Sequence, residues 1–239
     1  MKIVNYSKLR PNNILSKQFS HLLLLVFWII YGLAFEFVES LSLNYTVIYH
    51  PLDEKIPFCE IFSIPYYFWF AYIVVTLLYT GFFDVPSFKK YMWFIIITYS
   101  LTLIFYLIFP NKQELRPTEF LRDNIFTKIV AATYTIDTNT NVFPSIHVIG
   151  GIASLFAFWH SKHFSTFVWR LINTIITILI CLSTVFMKQH SVLDIVGGVV
   201  VCLIFYPIIY KTLPKNEVYP YYIETKSSKE HVQKRKTQP

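Results

Sequence analysis

The sequence predicts an all-α protein, an integral membrane bundle of six transmembrane helices. Three observations lead there. Hydrophobic residues make up 54% of the 239 residues and aromatic residues 19%. Charged residues make up only 15%, against about 25% in soluble domains. The apolar residues also gather into six runs, each near the length of about 17–25 residues that crosses a bilayer.

The first run, Leu22–Val38, follows Lys2, Lys8, Arg10 and Lys17. It is long for a signal peptide and no clear small-residue cleavage site follows, so it reads as a span. The second and third runs are Ile64–Phe83 and Tyr91–Phe109, the latter preceded by Lys89 and Lys90. The fourth, Phe143–Trp159, starts with Pro144, which suits a first helical turn. The fifth is Leu171–Met187, and the sixth, Val192–Tyr210, has Asp194 in its opening turn. The chain then divides into an N-terminal segment (1–21), a six-span domain (22–210) and a basic tail (211–239) expected to be disordered. The longest polar insertion, Pro110–Val142, carries Phe120, Leu121, Ile125, Phe126, Ile129 and Val130 at helical spacing. A short helix at the membrane surface fits that pattern, and so does an irregular loop packed on the spans. Cys59, Cys181 and Cys202 have no metal-ligand or disulfide spacing and read as inert.

The net charge of +7 does not point to nucleic acid, because the charges cluster at the ends of apolar runs and in the tail. That is a topology signal. With the N-terminus inside, the cytoplasmic segments hold four, two, two and seven Lys and Arg, 15 in all. The outer segments hold one, four and one, 6 in all. Both termini are therefore expected in the cytoplasm. Compact loops and no targeting signal suit a bacterial plasma membrane.

On this topology three polar clusters share the outer face. "NKQELRP" (111–117) offers Lys112 and Arg116, a point charge and a planar fork for phosphate oxygens. Contact with lipid headgroups is the plainer reading of both. "NVFPSIHV" (141–148) offers Ser145 and His147 at a helix start, where free N–H groups and partial positive charge receive anions. A histidine tied to a backbone carbonyl is the plainer alternative. "KQHSVLD" (188–194) places His190 and Asp194 four apart, with Lys188 close by. A carboxylate accepting one imidazole N–H fixes the tautomer and leaves the other nitrogen basic, as a nucleophile or base requires; a structural polar pair at a helix end is the alternative. Two histidines, a carboxylate, a serine and three cations suit a phosphate ester at a membrane surface. No metal or other cofactor is expected.

At these residues the chain resembles the type 2 phosphatidic acid phosphatase superfamily of integral membrane lipid phosphatases. That family's pattern is Lys-x6-Arg-Pro, Pro-Ser-Gly-His and Ser-Arg-x5-His-x3-Asp. Arg116-Pro117, Pro144 to His147, and Ser183, His190 and Asp194 fall on it. Phe109 stands where the family lysine would be, with Lys112 the nearest candidate; Ile146 replaces the glycine; Thr184 replaces the third-motif arginine, a charge Lys188 is expected to supply. Such variants look like the branch that includes inositol phosphorylceramide synthase-like transferases. The resemblance implies that His190 is the nucleophile, Asp194 its orienting partner and His147 the proton donor. It also implies that Lys112, Arg116, Ser145 and Lys188 bind phosphate. The expected partners are a lipid phosphate or diphosphate substrate and the membrane, and the oligomeric state is left open. Transfer to an alcohol rather than water is the main alternative. A binding or transport protein is disfavoured because the ionisable residues stay near span ends.

Overall fold

A computed structural model of the chain describes residues 2–41, 43–212 and 222–224. Eight α-helices appear among them: α1 (Val26–Glu39), α2 (Leu52–Lys55), α3 (Ser63–Phe83), α4 (Val85–Ile108), α5 (Ile125–Ile136), α6 (Ile146–His160), α7 (Phe167–Phe186) and α8 (Val192–Thr212). Four short strands accompany them: β1 (Lys2–Val4), β2 (Thr46–Val47), β3 (Asn111–Lys112) and β4 (Tyr222–Glu224). β2 and β3 pair in parallel, so the loop after α1 lies beside the chain leaving α4. β1 pairs antiparallel with β4. That pairing gives order to part of the expected disordered tail; the stretches 213–221 and 225–239 lie outside the described residues.

Five helical stretches are long and apolar enough to cross a membrane: Ser20–Glu39, Glu60–Phe83, Val85–Ile108, Phe167–Phe186 and Val192–Thr212. They correspond to five of the six expected spans and mark an integral membrane protein. The ends of two differ from expectation. α4 begins before Lys89 and Lys90, because Asp84 caps it through the Ser87 N–H (3.3 Å) and Pro86 occupies its first turn. Lys90 is consequently buried, with Nζ 3.5 Å from the Tyr210 carbonyl. α7 begins four residues early, at Phe167.

The fourth expected span is α6, and its 15 residues make about 22 Å of helix at 1.5 Å per residue, short of the roughly 30 Å hydrocarbon core. Ser145 caps it at one end and Ser161 at the other. Its surroundings set it apart from the five long helices. Residues His147 to Gly151, Ala153 to Leu155, Ala157 and Phe158 are buried, with α3, α4, α7 and α8 all packed against it. It is the axis of the bundle rather than a wall. The walls carry exposed apolar side chains, such as Ile29 and Leu33 on α1, Val74 on α3, Ile178 on α7 and Leu203 on α8. An outer surface that meets hydrocarbon requires this.

Small residues let the other helices close on α6. A Cβ on Gly198 would stand 2.9 Å from Val148 Cβ and 3.2 Å from the Ser145 carbonyl oxygen; one on Gly197 would stand 2.7 Å from the Phe143 ring. α8 therefore comes this close to the start of α6 because it presents glycines there. The insertion after α4 does contain a helix, α5, whose cap Asn124 accepts from the N–H groups of Phe126 (2.9 Å) and Thr127 (3.0 Å).

Candidate active site

The approach to α6 is held by backbone accounting. Asn111 is fully buried; its Oδ1 accepts from the N–H groups of Val142 (2.9 Å) and Phe143 (2.8 Å), and its Nδ2 donates to the Phe143 carbonyl (3.0 Å). Tyr106 donates to the Pro144 carbonyl (2.6 Å) and Tyr99 to the Ile146 carbonyl (3.0 Å). On α1, Glu39 accepts from Thr138, Thr140 and Asn141. Pro144 thus precedes the helix instead of opening it. Ser145 is the N-cap, with Val148 N–H 3.4 Å from its Oγ.

The start of α8 is a reciprocal cap. Ser191 Oγ accepts from Leu193 N–H (3.2 Å), while Asp194 Oδ2 accepts from Ser191 N–H (2.9 Å). The same Oδ2 is 3.0 Å from His190 Nδ1. His190 therefore meets Asp194 across the turn before the helix, not along one helix face as its spacing suggests. A carboxylate only accepts, so Nδ1 carries the proton and Nε2 is the basic nitrogen. Nε2 lies 3.2 Å from Ser145 Oγ, and Ser145 N–H donates to the Asp194 carbonyl (3.2 Å). Two motifs 45 residues apart are joined at the reactive nitrogen.

His147, in the first turn of α6, completes the pair. Its ring centroid is 5.6 Å from that of His190, at 67°. Tyr66 and Trp69 of α3 lie against its ring, at 4.7 and 4.5 Å between centroids. Its Nδ1 is buried with no hydrogen-bond partner, and this excludes the alternative of an Nδ1 proton tied to a backbone carbonyl.

The three expected cations are arranged differently from expectation. Lys188 is buried, and its Nζ donates to the carbonyls of Asp53 (2.6 Å) and Ile56 (2.5 Å). Burial pushes the ammonium's pKa down, and the Asp53 charge opposes that. Two of its three donors are thus committed within the protein. Lys112 pairs with Glu114 at the surface (2.5 Å). Arg116 lies on the Tyr134 ring (4.4 Å) and donates to the carbonyls of Tyr134 (3.0 Å) and Asp137 (2.5 Å), closing the C-terminus of α5. Burial lowers the pKa of its guanidinium and the Asp137 charge raises it. Its Nε is buried without a partner, so that donor is uncommitted. Of the expected site residues, Ser145, His147, His190 and Asp194 are brought together; Lys112, Arg116 and Lys188 are each engaged elsewhere.

Several residues escaped the sequence reading. Asp53, in the short helix α2, is 2% exposed. It accepts from Ser191 Oγ (2.6 Å) and Val192 N–H (2.8 Å), so together with Lys188 it fastens both sides of His190 to one residue. Asp137, Tyr66 and Gln189 form a second network, in which Asp137 Oδ2 accepts from Tyr66 and from Gln189 Nε2 (3.2 Å). The S-x-x-D cap at Ser191 was legible; the contacts of Asp53, over 138 residues away in sequence, carry no local signal.

A bundle of membrane-length helices, with a histidine–carboxylate pair facing a second histidine, is the architecture of a membrane-embedded phosphoryl-transfer site. The sequence pattern of the PAP2 superfamily matches residues 35–208, and the chain belongs to that superfamily of phosphatase-type phosphohistidine enzymes. The match begins in α1 and ends in α8, so it takes in both histidines and the Asp53 loop. Searches among curated proteins and among solved structures each found no match.

Proposed function

We propose that the protein is a membrane lipid phosphatase that hydrolyses a lipid phosphate or diphosphate through a phosphohistidine. The observation that carries this is the line from Asp194 Oδ2 through the His190 ring to Ser145 Oγ, 3.0 and 3.2 Å at its two ends. His190 Nε2 attacks phosphorus, and Asp194 stabilises the imidazolium that develops. His147 protonates the leaving oxygen and then activates water for the second step; such proton transfer is worth about 100- to 10,000-fold. A phosphate displaces the Ser145 hydroxyl from Nε2 and meets it as a donor, beside the free N–H groups of the α6 first turn. Arg116 supplies the buried cation through its uncommitted Nε–H. Lys112 joins when the phosphate draws it from Glu114, and Lys188 contributes by fixing the loop around His190.

In this reading α6 is the fourth of six passages, both termini are cytoplasmic and the site opens at the outer face of the membrane. The 15-to-6 distribution of basic residues supports that orientation. The departures at Phe109 and Thr184 favour a second reading with the same chemistry, transfer of the group to an alcohol.

The test is phosphate release by purified protein from a panel of lipid phosphates and diphosphates, with and without alcohol acceptors. Release that requires His190, with an acid-labile and alkali-stable phosphoenzyme, is expected. Binding without turnover across the panel overturns the enzymatic reading in favour of a carrier. A phosphoester product formed only with alcohol selects the transferase.

A further inference from the structure

His147 is the less accounted for of the two histidines. Its imidazole lies among Tyr66, Trp69 and His190, and its Nδ1 has no hydrogen-bond partner. A protonated ring there is costly without a nearby anion. Asp194 holds His190 and the α8 cap through Oδ2, and its charge is not the one that acts on His147. Asp137, just past the end of α5, lies within electrostatic reach of His147. Its Oδ2 accepts from the hydroxyl of Tyr66, the residue whose ring lies against His147, and from the amide of Gln189, the neighbour of His190. Arg116, bonded to the Asp137 carbonyl, is the remaining charge beside it.

We propose that Asp137 is the positioning residue of His147: it fixes the Tyr66 ring against the imidazole and supplies the counter-charge for its protonated form. This rests on the reading of His147 as proton donor. The donor's charge and its orientation come from one carboxylate, which also reaches the loop of the nucleophile through Gln189. One anion thereby links the protonated form of His147 to the placement of the His190 loop.

Two substitutions separate the two contributions. Asp137→Asn removes the charge while an amide oxygen in the place of Oδ2 can still accept from both Tyr66 and Gln189. Tyr66→Phe keeps the charge and the ring but removes the hydrogen bond. Turnover is measured on a lipid phosphate, whose alkoxide is a poor leaving group, and on p-nitrophenyl phosphate, whose phenolate leaves without a proton. Asp137→Asn is expected to slow the lipid substrate by about 100-fold, in the range for loss of proton transfer, and the aryl ester at least tenfold less than that. Tyr66→Phe is expected to show the same bias at smaller size, and it keeps the test decisive if Asp137→Asn does not fold. Equal losses on both substrates in both variants would mean a merely structural role and overturn the inference. A wild-type protein that turns over neither ester overturns the proposed function as well, so the two failures are distinguishable.

Discussion

His190 and His147 face each other from the starts of two helices and are held in opposite ways. His190 is fastened by polar contacts: Asp194 at Nδ1, Ser145 at Nε2, and the Asp53–Lys188 straps on either side of its loop. His147 is held by ring faces, with no polar partner at Nδ1. The difference matches the work each is given. A nucleophile must keep one tautomer and one direction, and directional hydrogen bonds enforce both. A proton donor must exist in two charge states, and ring packing holds an imidazole in either.

The largest effect that tests this contrast is at the polar-bound histidine. His190→Ala is expected to abolish both phosphoenzyme labelling and turnover. Asp194→Asn should lower the rate about 1,000-fold or more, because an amide can hold the ring but cannot stabilise its positive charge. If His190→Ala retains turnover while His147→Ala cannot form the intermediate even with an aryl ester, the two roles are exchanged.

His147→Ala comes next. Its loss, about 100- to 10,000-fold on an alkyl phosphate, should shrink markedly on an aryl phosphate, as leaving-group series would show.

Smaller, and visible in stability as well as rate, is the strap. Asp53→Ala leaves Ser191 and Val192 without their acceptor and should cost about 1.5–3 kcal/mol, read as a lowered midpoint in thermal unfolding in detergent. Its rate loss should fall equally on alkyl and aryl esters, since it loosens the nucleophile and not the donor. A leaving-group bias in Asp53→Ala would break the division of labour between the two histidines.

The smallest expected effect is at the helix contact between them. Gly198→Ala places a methyl group 2.9 Å from Val148 Cβ, an overpacking worth about 1–3 kcal/mol. It should separate the starts of α6 and α8 and slow both substrates slightly, with Gly151→Ala, whose nearest neighbour is 3.6 Å away, as the milder control.

The sequence made the polar-bound half of this comparison readable and left the other half dark. Five spans, the His190–Asp194 pair and Ser145 were legible because each is a local pattern: hydrophobic length, a spacing of four, a cap. The length of α6 was misread for the same reason. Hydropathy reports how apolar a run is, and it does not say whether lipid or protein surrounds it. Asp53, Asp137 and Asn111 were invisible because each acts across loops on backbone groups or partners far away in the chain. The partners of Lys188 were not legible, because a lysine beside a histidine looks the same in sequence whether it faces open space or two carbonyls.

Lys188 also has a backbone φ of 55°, in the left-handed region. For a residue with a side chain that conformation costs about 1–2 kcal/mol, and glycine would avoid the cost. Retaining lysine there means its two carbonyl bonds return more than the strain they accompany. The usual engineering remedy for a strained turn, replacement by glycine, would therefore relax the backbone and weaken the protein at once. Thermostabilisation of this chain has to leave its most strained long side chain alone.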